Sequence, residues 1–448
     1  MKILFLDPAT NVSTDTGGAM QGNIGLEYIA AVSQEAGHDV KILQPSLNEI
    51  SYAEIIKAVR DFDVVAISCM TWNAEQAVNL AQKIKALYPS MKLAVGGIGP
   101  TGMPEYFSPY FDVVVVGEGE KVFLDWLSGK RKERIIYAER DLKWNGKIRQ
   151  LRDQEVIRNS QMRDIWPVPH ADYLASNIIH GKGCYNNCYF CCSPLIWKQK
   201  ITWRDPSEVA NELISLADQG VNSIDFLDST FNADTQRVTA LCKSLIRSGV
   251  HKRVKWAALM DPSQKNAQEL MPLMKEAGCI KVAFGIEDPT SRMRKIFTKS
   301  SADVDLCYQT CESAEKLNLI IRAFFIVGDP KQDSNNTRAM KEALLSWPIN
   351  EVRISIFVPF PGTGAWKKYK DRIIEPDFSK WNTTHPIISS PHFNSEEIAK
   401  LRRDLTQLFY QSENYRRSKA KKIAADPAFQ IAYEQFEKNQ LILKGYKL

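Results

Sequence analysis

Residues 176–192 read SNIIHGKGCYNNCYFCC, a short apolar run that breaks at glycine into a loop carrying four cysteines. The run SNIIHG (176–181) has the length of a buried strand. Five runs of the same kind follow it: SIDFLD (223–228), VKWAAL (254–259), IKVAFGIE (280–287), IIRAFFIVG (320–328) and EVRISIFVP (351–359). Amphipathic periodicity predicts helices between them, at 206–218, 234–248, 264–277, 301–316 and 335–346. Six βα units in series predict an open, partial (βα)6 TIM-like barrel over residues 173–375. In parallel barrels the chemistry sits at the carboxyl ends of the strands, and the cysteine loop follows the first of them.

Upstream, residues 1–130 follow the same rhythm. Strand candidates KILFLD (2–7), VKIL (40–43), VVAISC (64–69), KLAVGG (92–97) and DVVVVG (112–117) alternate with helical patterns at 24–36, 53–61, 74–87 and 120–128. Apolar runs separated by helices predict parallel strands buried on both faces, hence an α/β, doubly wound, Rossmann-like sheet with its ligand beyond the carboxyl ends. The loops there are small and polar: DPATNVSTDTGGAMQGNIG (7–25), Ser68 to Trp72, Gly96-Gly97-Ile98-Gly99-Pro100 and Gly117-Glu118-Gly119-Glu120. Any one glycine could serve only its own turn. Four such loops at one end of one sheet point to a bulky ligand that the backbone approaches closely.

Residues 131–172 read as a polar linker ending in Trp166-Pro167-Val168-Pro169-His170, which its prolines keep out of a helix. Residues 376–448 read as a charged helical region. Its basic run (Arg416, Arg417, Lys419, Lys421, Lys422) is a solvated face or a docking surface for an acidic partner or substrate.

The 448 residues are 44% apolar and 25% charged with net charge +6, a globular profile that does not by itself argue for nucleic acid. The chain opens on Met1-Lys2 with no secretory pattern. Its longest wholly apolar runs, such as Val113–Val116, fall far short of the ~20 residues of a membrane span. A soluble, cytoplasmic protein is expected. Nine cysteines with four crowded into 184–192 then point to metal or catalysis rather than disulfides.

Cys184-x3-Cys188-x2-Cys191 supplies three thiolates, and cysteine thiolates are the usual ligands of iron–sulfur clusters. Three ligands hold three irons of a [4Fe-4S] cluster and leave one iron open, as a catalytic site requires. A zinc knuckle would need a fourth Cys or His at zinc-ligand spacing, and the neighbourhood offers none. Cys192, beside a ligand in sequence, should point elsewhere and pack.

This spacing on a strand-to-helix loop resembles the radical S-adenosylmethionine (SAM) family. The resemblance implies that SAM chelates the open iron and that one electron cleaves it to a 5′-deoxyadenosyl radical. It also implies that Phe190 lies near the adenine, that Asp228 approaches SAM and that Arg204 faces the SAM carboxylate. Glu287 would bond the ribose, Gly328 would permit close approach, and the backbone around Val358 would grip adenine. The order of a doubly wound domain, a barrel and a helical tail resembles the cobalamin-binding, class B radical SAM methyltransferases over nearly all of residues 1–375. Ser68, Gly96, Gly97, Gly117, Glu118 and Gly119 are then the implied cobalamin contacts. The D-x-H-x-x-G motif of many cobalamin proteins is absent, and His38 reads as a turn residue, so no protein histidine on cobalt is implied.

The resemblance implies methyl transfer to an unactivated carbon of a small-molecule or peptide substrate, with a flavodoxin or ferredoxin-like electron donor. A cobalamin-dependent cyclase or rearrangement enzyme is the nearest alternative, distinguished by product mass. A non-catalytic iron–sulfur or corrinoid-binding module is the other, and 5′-deoxyadenosine release distinguishes it.

Overall fold

The computed structural model describes residues 1–8, 22–48, 50–141, 164–168, 174–299 and 301–443. Most of the long loop after the first strand and most of the linker lie outside the described residues.

Near-continuous apolar runs make the first sheet. Its strands are β1 (Lys2–Leu6), β2 (Asp39–Leu43), β3 (Val64–Ser68), β4 (Lys92–Gly96), β5 (Val113–Val116) and β6 (Ile135–Tyr137). All pair in parallel, in the order β2-β1-β3-β4-β5-β6, so the sheet is doubly wound. Alternate residues of each strand feed cores on opposite faces. Leu4, Val65, Ile67 and Leu93 pack with Leu80 and Ile84 of one helix, while Phe5, Ala66 and Ala94 pack with Leu26 and Phe123 of two others. β6 lies in the stretch read as linker.

The second sheet begins at β7 (Ala175–Ile178). A small antiparallel pair, β8 (Gly181–Lys182) and β9 (Thr202–Trp203), brackets the cysteine loop. The sheet continues with β10 (Ser223–Phe226), β11 (Lys255–Met260), β12 (Cys279–Glu287), β13 (Ile320–Val327) and β14 (Glu351–Ile356), all parallel, in the order β14-β13-β12-β11-β10-β7. β7 and β14 are both ends of the sheet, so it is a half-barrel. Its amino-terminal mouth is plugged by charge. Lys281 and Arg322 each reach Glu351 at 2.6 Å, both also pair with Asp164, and the Ile165 amide donates to Glu351 at 2.7 Å.

Three helices, Ser395–Gln411, Glu413–Ala425 and Ala428–Leu443, form the tail, and Leu405, Phe409 and Tyr433 join the barrel's outer core. The basic run is partly consumed by this docking. Lys422 is buried, donates to the Leu319 carbonyl at 2.7 Å and pairs with Glu315, while Lys419 pairs with Glu437. Arg416 and Arg417 are exposed.

The two halves meet at several points. Asn177 donates to the Gly22 carbonyl at 2.8 Å, and Trp72 lies 6.4 Å from Phe360, ring to ring. A Cβ on Gly102 would come within 2.3 Å of the Pro361 carbonyl, so only glycine lets these backbones touch.

Candidate functional site

The cysteine loop is held from below. Asp228, at the end of β10, accepts hydrogen bonds from the His180 and Gly181 amides at 2.9 and 2.6 Å. Burial pushes its carboxyl up to about 7, against the pull of those amides. Gly183 adopts φ +119°, and a Cβ there would lie 2.1 Å from the Lys200 carbonyl. The loop's far side is braced by Thr298, whose hydroxyl donates to the Asn187 carbonyl at 2.5 Å and accepts from the Tyr189 amide at 3.1 Å. The Tyr189 hydroxyl bonds Asp329, and its carbonyl accepts from the Ala365 amide at 2.8 Å.

So held, Cys184, Cys188 and Cys191 line one cavity of about 350 Å³ at the carboxyl ends of β10 to β14. Burial pushes the Cys188 thiol up to about 12 and the Cys191 thiol upward, so keeping them as thiolates needs cationic charge beside them. Among the described residues no three Cys, His, Asp or Glu side chains converge as a single-ion site requires. A four-iron cube is larger than one ion and suits thiols spread around a cavity. Cys192 does not line the cavity and caps the short helix Ser193–Trp197.

Phe190, Glu287 and Val358 line the same cavity. Glu287 takes φ +67° at the end of β12 and pairs with Lys299 at 3.3 Å. Three other residues expected near SAM do not line this cavity. Arg204 is fully buried outside the cavity, paired with Glu212 at 2.6 Å and bonded to the Ile179 carbonyl, because a buried guanidinium needs a buried carboxylate. Asp228 does not face the cavity; its neighbours Ser229 and Thr230 do, and its carboxylate is spent on the two amides. Gly328 is also outside. Its φ is +88°, and a Cβ there would lie 2.9 Å from the Ile398 side chain of the tail, so backbone conformation and packing both favour glycine.

A different cation does line the cavity. Lys299 lines the cavity between Glu287 and Asp261. Burial opposes its charge, yet these two carboxylates hold the ammonium above its ordinary range. Lys299 follows Glu287 by twelve residues, across the helix Ser291–Ile296. No motif marked it.

The second cavity, about 310 Å³, lies at the carboxyl ends of the first sheet. Ser68, Gly96, Gly97, Gly117, Glu118 and Gly119 all line it. It runs down between the sheet (Phe5, Ala66, Ala94) and the helices that carry Ile29 and Phe123, an apolar slot suited to a flat group. At its polar end Asn23 donates to Asp7 at 3.0 Å and Ser68 at 3.1 Å. No histidine is among its described lining residues, and His38 sits in the turn before β2. Gly97, at φ +104°, would place a Cβ 2.7 Å from the Cys69 carbonyl, so glycine is fixed there by a neighbouring loop as well as by any ligand.

The helix Ser193–Trp197 separates the two cavities: Ser193 lines the first, Ile196 and Trp197 the second. Arg140 clamps this wall. It stacks on Trp197 at 4.9 Å, donates to the Lys182 carbonyl at 2.8 Å and to Thr202 at 3.0 Å, and pairs with Glu118. Beside it Lys182 pairs with Glu120.

Comparison with known proteins agrees with this geometry. Residues 14–126 match the B12 binding domain family and residues 178–344 the Radical SAM superfamily. An uncharacterised methyltransferase of Pyrococcus horikoshii is 28% identical over 92% of each chain. The cytidylyl-2-hydroxyethylphosphonate methyltransferase of Streptomyces wedmorensis is 25% identical over 94% of this chain and 91% of its own. The radical SAM methyltransferase TsrM of Kitasatospora setae, solved with cobalamin and a [4Fe-4S] cluster, shares the fold at TM-score 0.68 and 15% identity, over 84% of this chain and 79% of that one. The protein is a cobalamin-binding radical SAM enzyme, and its cofactors are a [4Fe-4S] cluster, SAM and cobalamin.

Proposed function

We infer that this enzyme transfers a methyl group to an unactivated carbon, and that Cys184, Cys188 and Cys191 are the cluster ligands. The observation that carries the reading is the single five-residue helix, Ser193–Trp197, with one end in each cavity. Radical chemistry and methyl donation are thereby next to each other across one thin wall. When bound, the cluster with SAM supplies hydrogen-atom abstraction, and cobalamin supplies the methyl group.

The chain's own residues bind, orient and shield. Phe190 and the backbone around Val358 offer an apolar seat for adenine, and Glu287 offers an acceptor for the ribose hydroxyls. Lys299 takes the role first expected of Arg204, as the cation that meets the SAM carboxylate. Ser68 and the glycines at 96, 97, 117 and 119 let the corrin approach the strand ends, with Glu118 at its rim. Asp228 and Tyr189 touch no cofactor in this scheme; they set the height of the cysteine loop. Nine free cysteines suit a reducing cytoplasm.

The test is anaerobic turnover of the reconstituted enzyme with methyl-deuterated SAM, a reductant, cobalamin and small-molecule or peptide candidates. Release of 5′-deoxyadenosine together with a product heavier by one deuterated methyl is expected. A product of altered hydrogen count without added carbon would replace methylation by cyclisation. No 5′-deoxyadenosine under any condition would remove the enzymatic reading.

A further inference from the structure

Asn187 is the most exposed residue of the cysteine loop, and Tyr189, two residues on, is half-buried. Three segments brace it there: residues 291–299 through Thr298, residues 329–333 through Asp329, and residues 364–372 through Ala365. These segments are strongly basic on their outer side. Lys295, Lys331, Lys367, Lys368, Lys370 and Arg372 are all exposed, and none has an ion pair among the described residues. Their juxtaposition is direct. Lys368 lies 5.6 Å over the Tyr189 ring, and both Lys331 and Lys368 act on the buried Asp329 carboxylate that Tyr189 bonds. Arg292, which donates to the Lys331 carbonyl, is already paired with the half-buried Asp333; Asp371 is the exposed acid on these segments.

Unpaired like charges held together repel one another, and an oppositely charged surface relieves them and speeds encounter. We propose that this basic rim is the docking face for an acidic one-electron carrier, a flavodoxin or ferredoxin-like protein. The carrier is oxidised by one electron, and the cluster behind Cys188 is reduced by one. This rests on the cluster assignment above. It moves the acidic-partner surface away from the tail, where Lys419 and Lys422 are committed to Glu437 and Glu315.

The probe is a flavodoxin reduced to its hydroquinone, with dithionite as a small reductant that needs no docking. In the wild-type enzyme, cluster bleaching by flavodoxin should slow about tenfold or more as salt rises from low to several-fold higher ionic strength, because screening removes the steering. Dithionite bleaching should change far less. The quadruple variant Lys295→Glu, Lys331→Glu, Lys367→Glu, Lys370→Glu should bind oxidised flavodoxin at least about tenfold more weakly by flavin fluorescence, yet keep its iron and dithionite-driven SAM cleavage. Arg416→Glu with Arg417→Glu should leave both unchanged. A salt-independent flavodoxin rate in the wild type would overturn the proposal, even if the quadruple variant failed to fold. So would loss of binding in the tail variant alone. Failure of dithionite to bleach the wild type would instead refute the cluster assignment. Binding of the rim to nucleic acid in place of flavodoxin would also overturn it.

Discussion

The two sheets are built from the same βα unit, yet their ligand cavities are made differently. In the first, strand order reverses beside β1, helices cover both faces, and the crevice at the strand ends is walled by glycine backbone and apolar side chains. In the second, the order runs in sequence from β7 to β14, the sheet curls, and the cavity is rimmed by thiols, Glu287, Lys299 and Asp261. A reversed sheet offers a crevice for a large planar group that is held by shape. A curled sheet gathers side chains from many strands around one point, which suits ligation and charge.

The largest test of that contrast is Cys184→Ser. Iron should be lost and SAM cleavage should fall by about three orders of magnitude or more, while cobalamin binding to the first sheet persists. Cys192→Ser should retain full iron, read by metal analysis and cluster absorbance. Next comes Lys299→Met. The KM for SAM should rise about 10- to 100-fold with iron retained, since buried Glu287 and Asp261 lose their shared cation. A fall in kcat at constant KM would break the assignment. Gly97→Ala probes the shape-built cavity: overpacking against Cys69 should cost about 1–3 kcal/mol and weaken cobalamin about tenfold, read by thermal melting and corrin titration. Unchanged iron in that variant would sharpen the comparison; lost iron would mean the halves fold as one unit.

The smallest effect concerns Asp225 inside the half-barrel. Burial first, and then Asp164, push its carboxyl up to about 7 from 3.8. Between those values the folded chain keeps a proton that the unfolded chain has released. Asp225 therefore stabilises at low pH, and its contribution fades as pH rises through about 7, by at most about 1.4 kcal/mol per pH unit. Asp225→Asn should flatten the stability profile over that window, read by urea midpoints at about pH 5 and about pH 7.5. A variant whose profile still falls as steeply would reassign the proton.

The strands were legible because each is a nearly unbroken apolar run; β3, β4, β10, β13 and β14 begin at the residues that pattern predicts. What escaped was short or distant. β6 spans three residues, and β8 and β9 two each, too few for any period to show. The cysteine loop announces itself by spacing. The partners of Arg204 and Gly328 were not legible: Glu212 and Ile398 lie against them, and no local pattern names a tertiary neighbour. Lys299 was invisible for the same reason in reverse.

The half-barrel's end strands have a further consequence. Among the described residues β7 and β14 each lack an outer neighbour, and the first half meets both margins, through Gly22 at Asn177 and Gly102 at Pro361. The corrin-binding half thus stands where the missing staves of a closed cask would be. Grafting this catalytic half onto a foreign cobalamin module would have to reproduce both seams, so the two halves are a matched set for engineering.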